Sequence, residues 1–255
     1  MQALRPVWRN IFKFNGAFGI SLILLLGLPR FIIVLGANVT GDYRWIPLIF
    51  IFMSISPFLF LTREGREFIG ISKPGKPLWL LYSFLMGMIF CGITFLIAEL
   101  FFGDSIGNWF VYISKSYAVS RTGLQDSERL IYFLIYAIVG MTFSPVGEEL
   151  FYRGIVHGCF AVKLGDEKAS TIDSLAFAMT HLAHFGIVFI SGVWKFLLIP
   201  SLVWMLFMFA TGKLFSFCRK NTGSIWGAVL GHAGYNLAMM NLFFIMFFKE
   251  DKIES

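Results

Sequence analysis

Long stretches of largely apolar residues dominate this chain, and they fix the solvent in which it folds. They lie at 16–37, 45–62, 78–102, 130–146, 171–190, 196–215 and 225–248. A helix rises about 1.5 Å per residue, so about 20 such residues cross a hydrocarbon layer about 30 Å thick. Only 14% of the 255 residues are charged and 57% are hydrophobic, more apolar surface than one soluble core of this size can hide. The expected fold is all-α: a polytopic integral membrane helical bundle with seven or eight transmembrane helices. The count turns on 151–164, a shorter mixed stretch carrying Arg153, His157 and Lys163. It reads either as an amphipathic interfacial helix or as a continuation of the preceding helix beyond a bend at Pro145.

One integrated membrane domain is expected, since no repeat, low-complexity segment or linker divides the chain. Within it, 1–129 holds N-terminal helices and an outer loop at about 103–129. Residues 130–248 hold the polar motifs described below, and 249–255 form a short polar tail. Arg5, Arg9 and Lys13 precede the first apolar run as in a signal peptide, but no small-residue cleavage site follows, so an uncleaved first span is expected. The formal net charge of +6 comes from scattered loop residues rather than a basic stripe, which argues against nucleic acid as a partner. Lys and Arg concentrate in the segments on the N-terminal side, which places the N-terminus in the cytoplasm. Cys91, Cys159 and Cys218 are far apart in apolar surroundings and read as packing thiols. Compact size and short loops suggest a prokaryotic cell membrane. Oligomeric state is not legible.

Ionisable groups inside spans are costly, and each is a candidate for function. The run PVGEELFYRG places Glu148, Glu149 and Arg153 at the end of an apolar stretch. FAMTH places Phe177 and His181 four apart, and HAGYN does the same for His232 and Asn236. Residues four apart share a helix face. Glu149 can therefore pair with Arg153, while Glu148 points about a quarter turn away. With an N-terminus inside and 151–164 not crossing, all three motifs fall in the cytoplasmic half of the bilayer. Gly223, Gly227 and Gly231 recur every four residues beside His232 and read as a close helix contact, with room for a substrate backbone as a further use.

A carboxylate and a histidine facing one water can deprotonate and orient it, and a second histidine with an amide can stabilise an oxyanion. That constellation suits amide hydrolysis of a membrane-associated peptide or protein. Intramembrane carboxylates and histidines also build proton-coupled membrane transporters, and a scaffold or immunity protein could keep such residues without turnover. No inverted repeat favours transport. His157 reads as interfacial, His184 as a packing or supporting histidine, and Glu99 as a residue at the membrane edge. Arg30 either snorkels to the interface or pairs within the bundle.

The ordered set E-E-x-x-x-R, F-x-x-x-H and H-x-x-x-N resembles the CPBP family, the CaaX-protease and bacteriocin-processing (Abi) proteins, which include type II CaaX prenyl endopeptidases. The resemblance covers about 130–245 and implies an intramembrane endopeptidase of glutamate type. It implies Glu148 as general base, His181 as its assistant, and His232 and Asn236 as oxyanion donors. It further implies Glu149 and Arg153 as a pair that fixes the site, with Phe177 packed behind it. His184 is extra to the family pattern. Glu148, His181 and His232 could alternatively hold zinc with an open fourth position; the oxyanion role of His232 and Asn236 favours a reaction with no metal cofactor. CaaX-like proteins, precursor peptides and C-terminal sorting tails remain equal substrate classes.

Overall fold

The computed structural model describes residues 2–116 and 126–251. Residues 117–125 of the expected outer loop and 252–255 of the expected tail lie outside the described residues. The described chain is mostly helical. Its long helices are α1 (Gly16–Thr40), α2 (Ile46–Phe60), α3 (Leu78–Phe102), α5 (Asp126–Glu149), α8 (Leu198–Thr222) and α9 (Ile225–Asp251). Between them lie α4 (Trp109–Ser116), α6 (His157–Leu164), α7 (Asp166–His181) and a hairpin of β1 (Ile187–Ile190) and β2 (Val193–Phe196). Among the described residues, four helices are long and apolar enough to cross a membrane: α1, α3, α8 and α9 through Ile245. Large apolar side chains such as Leu24, Leu25, Ile89, Leu96, Leu100, Leu202 and Leu206 are exposed on them, as a lipid-facing surface requires.

The ends of the helices gather into two layers. In one, the Arg5 N–H donates to the Phe60 carbonyl at 2.9 Å, Gly75 to Thr222 at 2.9 Å, and Ile225 to Gly70 at 2.8 Å. In the other, Asn38 donates to the Ala183 carbonyl at 2.7 Å, Tyr43 to the Ser116 hydroxyl at 2.8 Å, and the Phe189 N–H to the Tyr112 hydroxyl at 2.9 Å. With α5 and α6 taken as one rod and α7 with its hairpin as the next, successive rods run in alternating directions, so that α5 and α8 are parallel. The N-terminus lies in the first layer; the segment joining α1 to α2 lies in the second.

Local chemistry explains the boundaries. The Asn15 side chain caps α1 by accepting from the Phe18 N–H, and Gly41 ends it at φ +69°. Gly223, at φ +67°, ends α8 in the same way, so the first glycine of the four-residue series is a helix stop. The other two are packed: a Cβ on Gly227 would overlap Thr222, and Gly231 stands against Phe215, Cys218 and the Ser83 backbone. Helices α3 and α9 approach most closely where a Cβ at Gly87 would overlap the Gly231 carbonyl and one at Gly234 the Phe84 carbonyl. All three cysteines are free and buried.

The structure decides two sequence expectations. Of the two readings of 151–164 it takes the continuation: α5 passes through Pro145 without a break and joins α6 by a π-helical turn, Leu150–Val156. The span expected at 171–190 is helical only to His181. Gly186 at φ +124°, with Ser191 and Gly192 also at positive φ, turns the remaining apolar residues into the hairpin. Apolarity alone does not distinguish a β-branched run such as Ile187–Val188 from the end of a helix.

Candidate active site

The polar centre is built by an antiparallel helical hairpin. Gly165, at φ +77°, reverses the chain between α6 and α7. The reversal sets residues before it beside residues about equally far after it. Tyr152 donates to the Thr180 hydroxyl at 3.2 Å, and His157 Nδ1 lies 2.7 Å from Asp173 Oδ2. By the same register Glu148 comes level with His181. π-helical turns occur just before Arg30, at Ile23–Gly27, and just after Glu149. Such turns rotate the following side chains relative to an α-helical count and recur at functional sites.

The first group is centred on Arg30. This arginine is 1% exposed, although it sits inside the apolar α1. Its Nη2 forms an ion pair with Glu148 Oε1, and also lies 3.5 Å from His181 Nε2 and 3.4 Å from His184 Nε2. Nη1 donates to the Thr180 carbonyl at 3.4 Å. His181 Nδ1 lies 2.8 Å from the Phe177 carbonyl, which only accepts; Nδ1 therefore carries the proton and Nε2 presents a lone pair. Glu148 Oε2 is 4.0 Å from that Nε2.

The second group adjoins the first. Glu149 Oε1 lies 3.3 Å from Arg153 Nη1 and 2.8 Å from His232 Nδ1. Arg153 Nε also lies 3.5 Å from Asp173. His157 has Asp173 on one ring nitrogen and Asp166, at 3.1 Å, on the other. It is 3% exposed and belongs to this network, which reaches Asp166 at the exposed start of α7. Phe177 separates the groups. Its ring centroid is 4.1 Å from that of His181 and 5.9 Å from that of His232, and the Arg153 guanidinium stacks over it at 4.3 Å. Phe215 stacks on His232 from the other side at 4.9 Å.

A cavity of about 480 Å³ opens beside these groups. Arg30, His181, His184, His232 and Asn236 line one end, Trp204, Met208 and Tyr235 a wall, and Gly41 to Arg44 the other end. Asn236 Nδ2 donates one hydrogen to the Gly140 carbonyl at 2.8 Å. At the loop end, a hydrogen bond from Arg44 holds the Asp42 carboxyl below the usual carboxylate range. Glu148 is fully buried and does not itself line the cavity, whereas its neighbours Arg30 and His181 do, and neither of its oxygens has a well-formed hydrogen bond.

The structure thus brings Glu148 to His181 and Glu149 to His232, with Asn236 on the same cavity as both histidines. The three donors of the zinc alternative face different partners. Glu148 faces Arg30, His232 Nδ1 faces Glu149, and among the described residues no group of three or more His, Cys, Asp or Glu is placed to hold a metal ion. Sequence reasoning named Arg30 as a residue that snorkels or pairs within the bundle, and the structure shows the pairing, but it did not assign Arg30 to the site, and it missed Asp173. An arginine at the fifteenth position of a 25-residue apolar span was the available signal for the first. Asp173 was third in the span expected at 171–190 and so looked like a solvated acid at its edge, whereas α7 begins at Asp166 and carries it to mid-helix. Glu99 is not simply at the membrane edge; it accepts from Asn108 at 2.6 Å and so helps fix the turn into α4.

A membrane bundle with a buried carboxylate–histidine–arginine centre beside a cavity is the class that this geometry defines. Residues 130–238 match the family model described as Rce1-like, type II CAAX prenyl endopeptidase Rce1-like. The match covers under half of the chain and contains all three motifs. No curated protein and no solved structure matches. Over that segment the chain is similar to a family of membrane proteases. The resemblance drawn from the motifs is therefore shown, and it supports a CAAX-type peptidase in an integral membrane protein.

Proposed function

We propose that this protein is an intramembrane glutamate-type endopeptidase that hydrolyses a peptide bond of a membrane-associated protein or peptide. The observation that carries the reading is the pair of acceptors 4.0 Å apart, Glu148 Oε2 and the lone pair of His181 Nε2. Two acceptors cannot bond each other, but one water can donate a hydrogen to each. Glu148 takes one of those protons as the water oxygen attacks the scissile carbonyl carbon. The carbonyl π electrons move to its oxygen, and the C–N bond then breaks as Glu148 returns the proton to the leaving nitrogen. Asn236 still has an amide hydrogen to offer the oxyanion. His232 can offer Nε2–H when protonated, with Glu149 behind it. Glu149, Arg153 and Phe177 hold that histidine. No step uses a metal.

The proposed topology has seven passes: α1, α2, α3, α5 with α6, α7 with its hairpin, α8 and α9. Arg30 lies about 21 Å along α1 from Gly16 and about 15 Å from Thr40, counted at about 1.5 Å per residue. The cavity extends toward the Thr40 end. An N-terminus in the cytoplasm therefore gives a cavity that opens away from the cytoplasm, and a site in the cytoplasmic half requires the reverse. The Lys and Arg bias favours the first. A membrane-impermeant maleimide should then label Asp42→Cys in intact cells and Lys73→Cys only after permeabilisation; the three native cysteines are buried. That result points to exported precursors or outward-facing sorting tails as substrates. The reverse pattern overturns the orientation and points to prenylated C-termini in the cytosol.

The reading itself is tested by comparing protein termini in source cells with the wild-type gene, without it, and with His181→Ala. New termini that need the gene should fall by about 10²-fold or more in the variant, and a chelator should not suppress them. Undiminished termini in the variant would defeat the proposal.

A further inference from the structure

We infer that Arg30 is a further catalytic residue: its guanidinium, seated between Glu148, His181 and His184, is the fixed cation across which negative charge passes from the Glu148 carboxylate to the oxyanion. This rests on the hydrolytic reading above and adds a group outside both the three motifs and the matched segment 130–238.

Three observations converge on it. First, Arg30 is buried in an apolar span, where a cation is tolerated only with compensation. One ion pair with Glu148 would neutralise it. Arg30 nevertheless also faces two histidines on the cavity wall, and its Nε is buried without a partner. Second, the other donors are partly committed. His232 holds its Nδ1 proton against Glu149, so in the neutral ring Nε2 is an acceptor and cannot serve an oxyanion; Asn236 spends one hydrogen on Gly140. Third, the charge balances. Before attack the site holds Arg30 and the Glu148 carboxylate. After attack Glu148 is a neutral acid and the charge sits on the former carbonyl oxygen. A cation that touches Glu148 and lines the cavity keeps the site neutral throughout, where low polarity makes unbalanced charge most costly. His184 faces the same Nη2 that pairs with Glu148, at 3.4 Å, and so acts as a positioning residue.

The test uses the full-length protein in membranes of source cells whose own copy is deleted, and reads the rate at which Glu148-dependent termini appear. Arg30→Ala should slow that rate by about 10²-fold or more, and added methylguanidinium should recover at least about tenfold of the loss, because it refills the cationic position. Glu148→Gln should gain nothing from the same addition. Arg30→Ala at about wild-type rate, or folded yet unresponsive to methylguanidinium, overturns the inference, since a purely structural arginine is not replaced by a free cation. If Arg30→Ala does not accumulate, Arg30→Lys decides: measurable cleavage above the Glu148→Gln background upholds a cationic role, and cleavage at that background overturns it. Termini that persist in Glu148→Gln itself would instead remove the hydrolytic reading and leave Arg30 a structural ion pair.

Discussion

Glu148→Gln is expected to lower the rate of cleavage by about 10²–10⁴-fold, the range that removal of a general base produces. Glutamine keeps the shape of the side chain and one carbonyl oxygen, but it cannot hold a proton taken from water. The structure adds a second consequence. Glu148 is the ion-pair partner of Arg30, and both are buried. Removing one partner of a buried pair costs about 3–5 kcal/mol. Contacts from Arg30 to His181, His184 and the Thr180 carbonyl offset part of this, so the single variant should fold with reduced stability. The double variant Arg30→Gln/Glu148→Gln removes both charges and should regain stability without regaining activity. Terminal peptides measure the first effect and thermal unfolding in detergent the second. Cleavage by Glu148→Gln at the wild-type rate would remove the proposed base.

Much of the bundle was legible because its signals are redundant. Each of α1, α3, α8 and α9 is a largely apolar run long enough to cross a bilayer, and no short-range feature competes with that. The pairing of Glu149 with Arg153 was legible because it is local, four residues along one helix. The partners of Glu148, His157 and His232 were not, because each comes from another helix, and single-sequence periodicity says which face a residue occupies but not what it meets. Arg30 illustrates the limit. Its cost inside an apolar span identified it as a residue needing a partner; only the packing of α1 against the α5–α7 hairpin supplied Glu148. The hairpin at 187–196 escaped notice for another reason. Its residues are as apolar as a helix end, and the decisive information is the positive φ of Gly186, Ser191 and Gly192.

Arg153→Met should be the most destabilising of the conservative-volume substitutions at this centre. Arg153 is fully buried between two carboxylates, Glu149 at 3.3 Å and Asp173 at 3.5 Å, and it stacks on Phe177 and Phe215. Methionine replaces much of the stem volume and keeps contact with the rings. It supplies no charge, so two buried carboxylates share the remaining donors His232 and His157. Neither can move to fill the gap, because His232 is clamped between Phe177 and Phe215 and His157 is already held by Asp173 and Asp166. The expected loss is about 3–5 kcal/mol, a large share of the 5–15 kcal/mol that holds a typical domain together. Low yield and early thermal unfolding in detergent should report it. Lysine at this position should recover only part of the loss, since one ammonium cannot reproduce two guanidinium edges and a flat stacking face. The cause is isolated by a double-mutant cycle: Glu149→Gln added to Arg153→Met should restore at least about 1 kcal/mol relative to the additive sum, because it removes one of the two orphaned charges. Strict additivity would mean that Arg153 acts through packing on Phe177 alone and that the Glu149–Arg153 pair contributes nothing to holding His232.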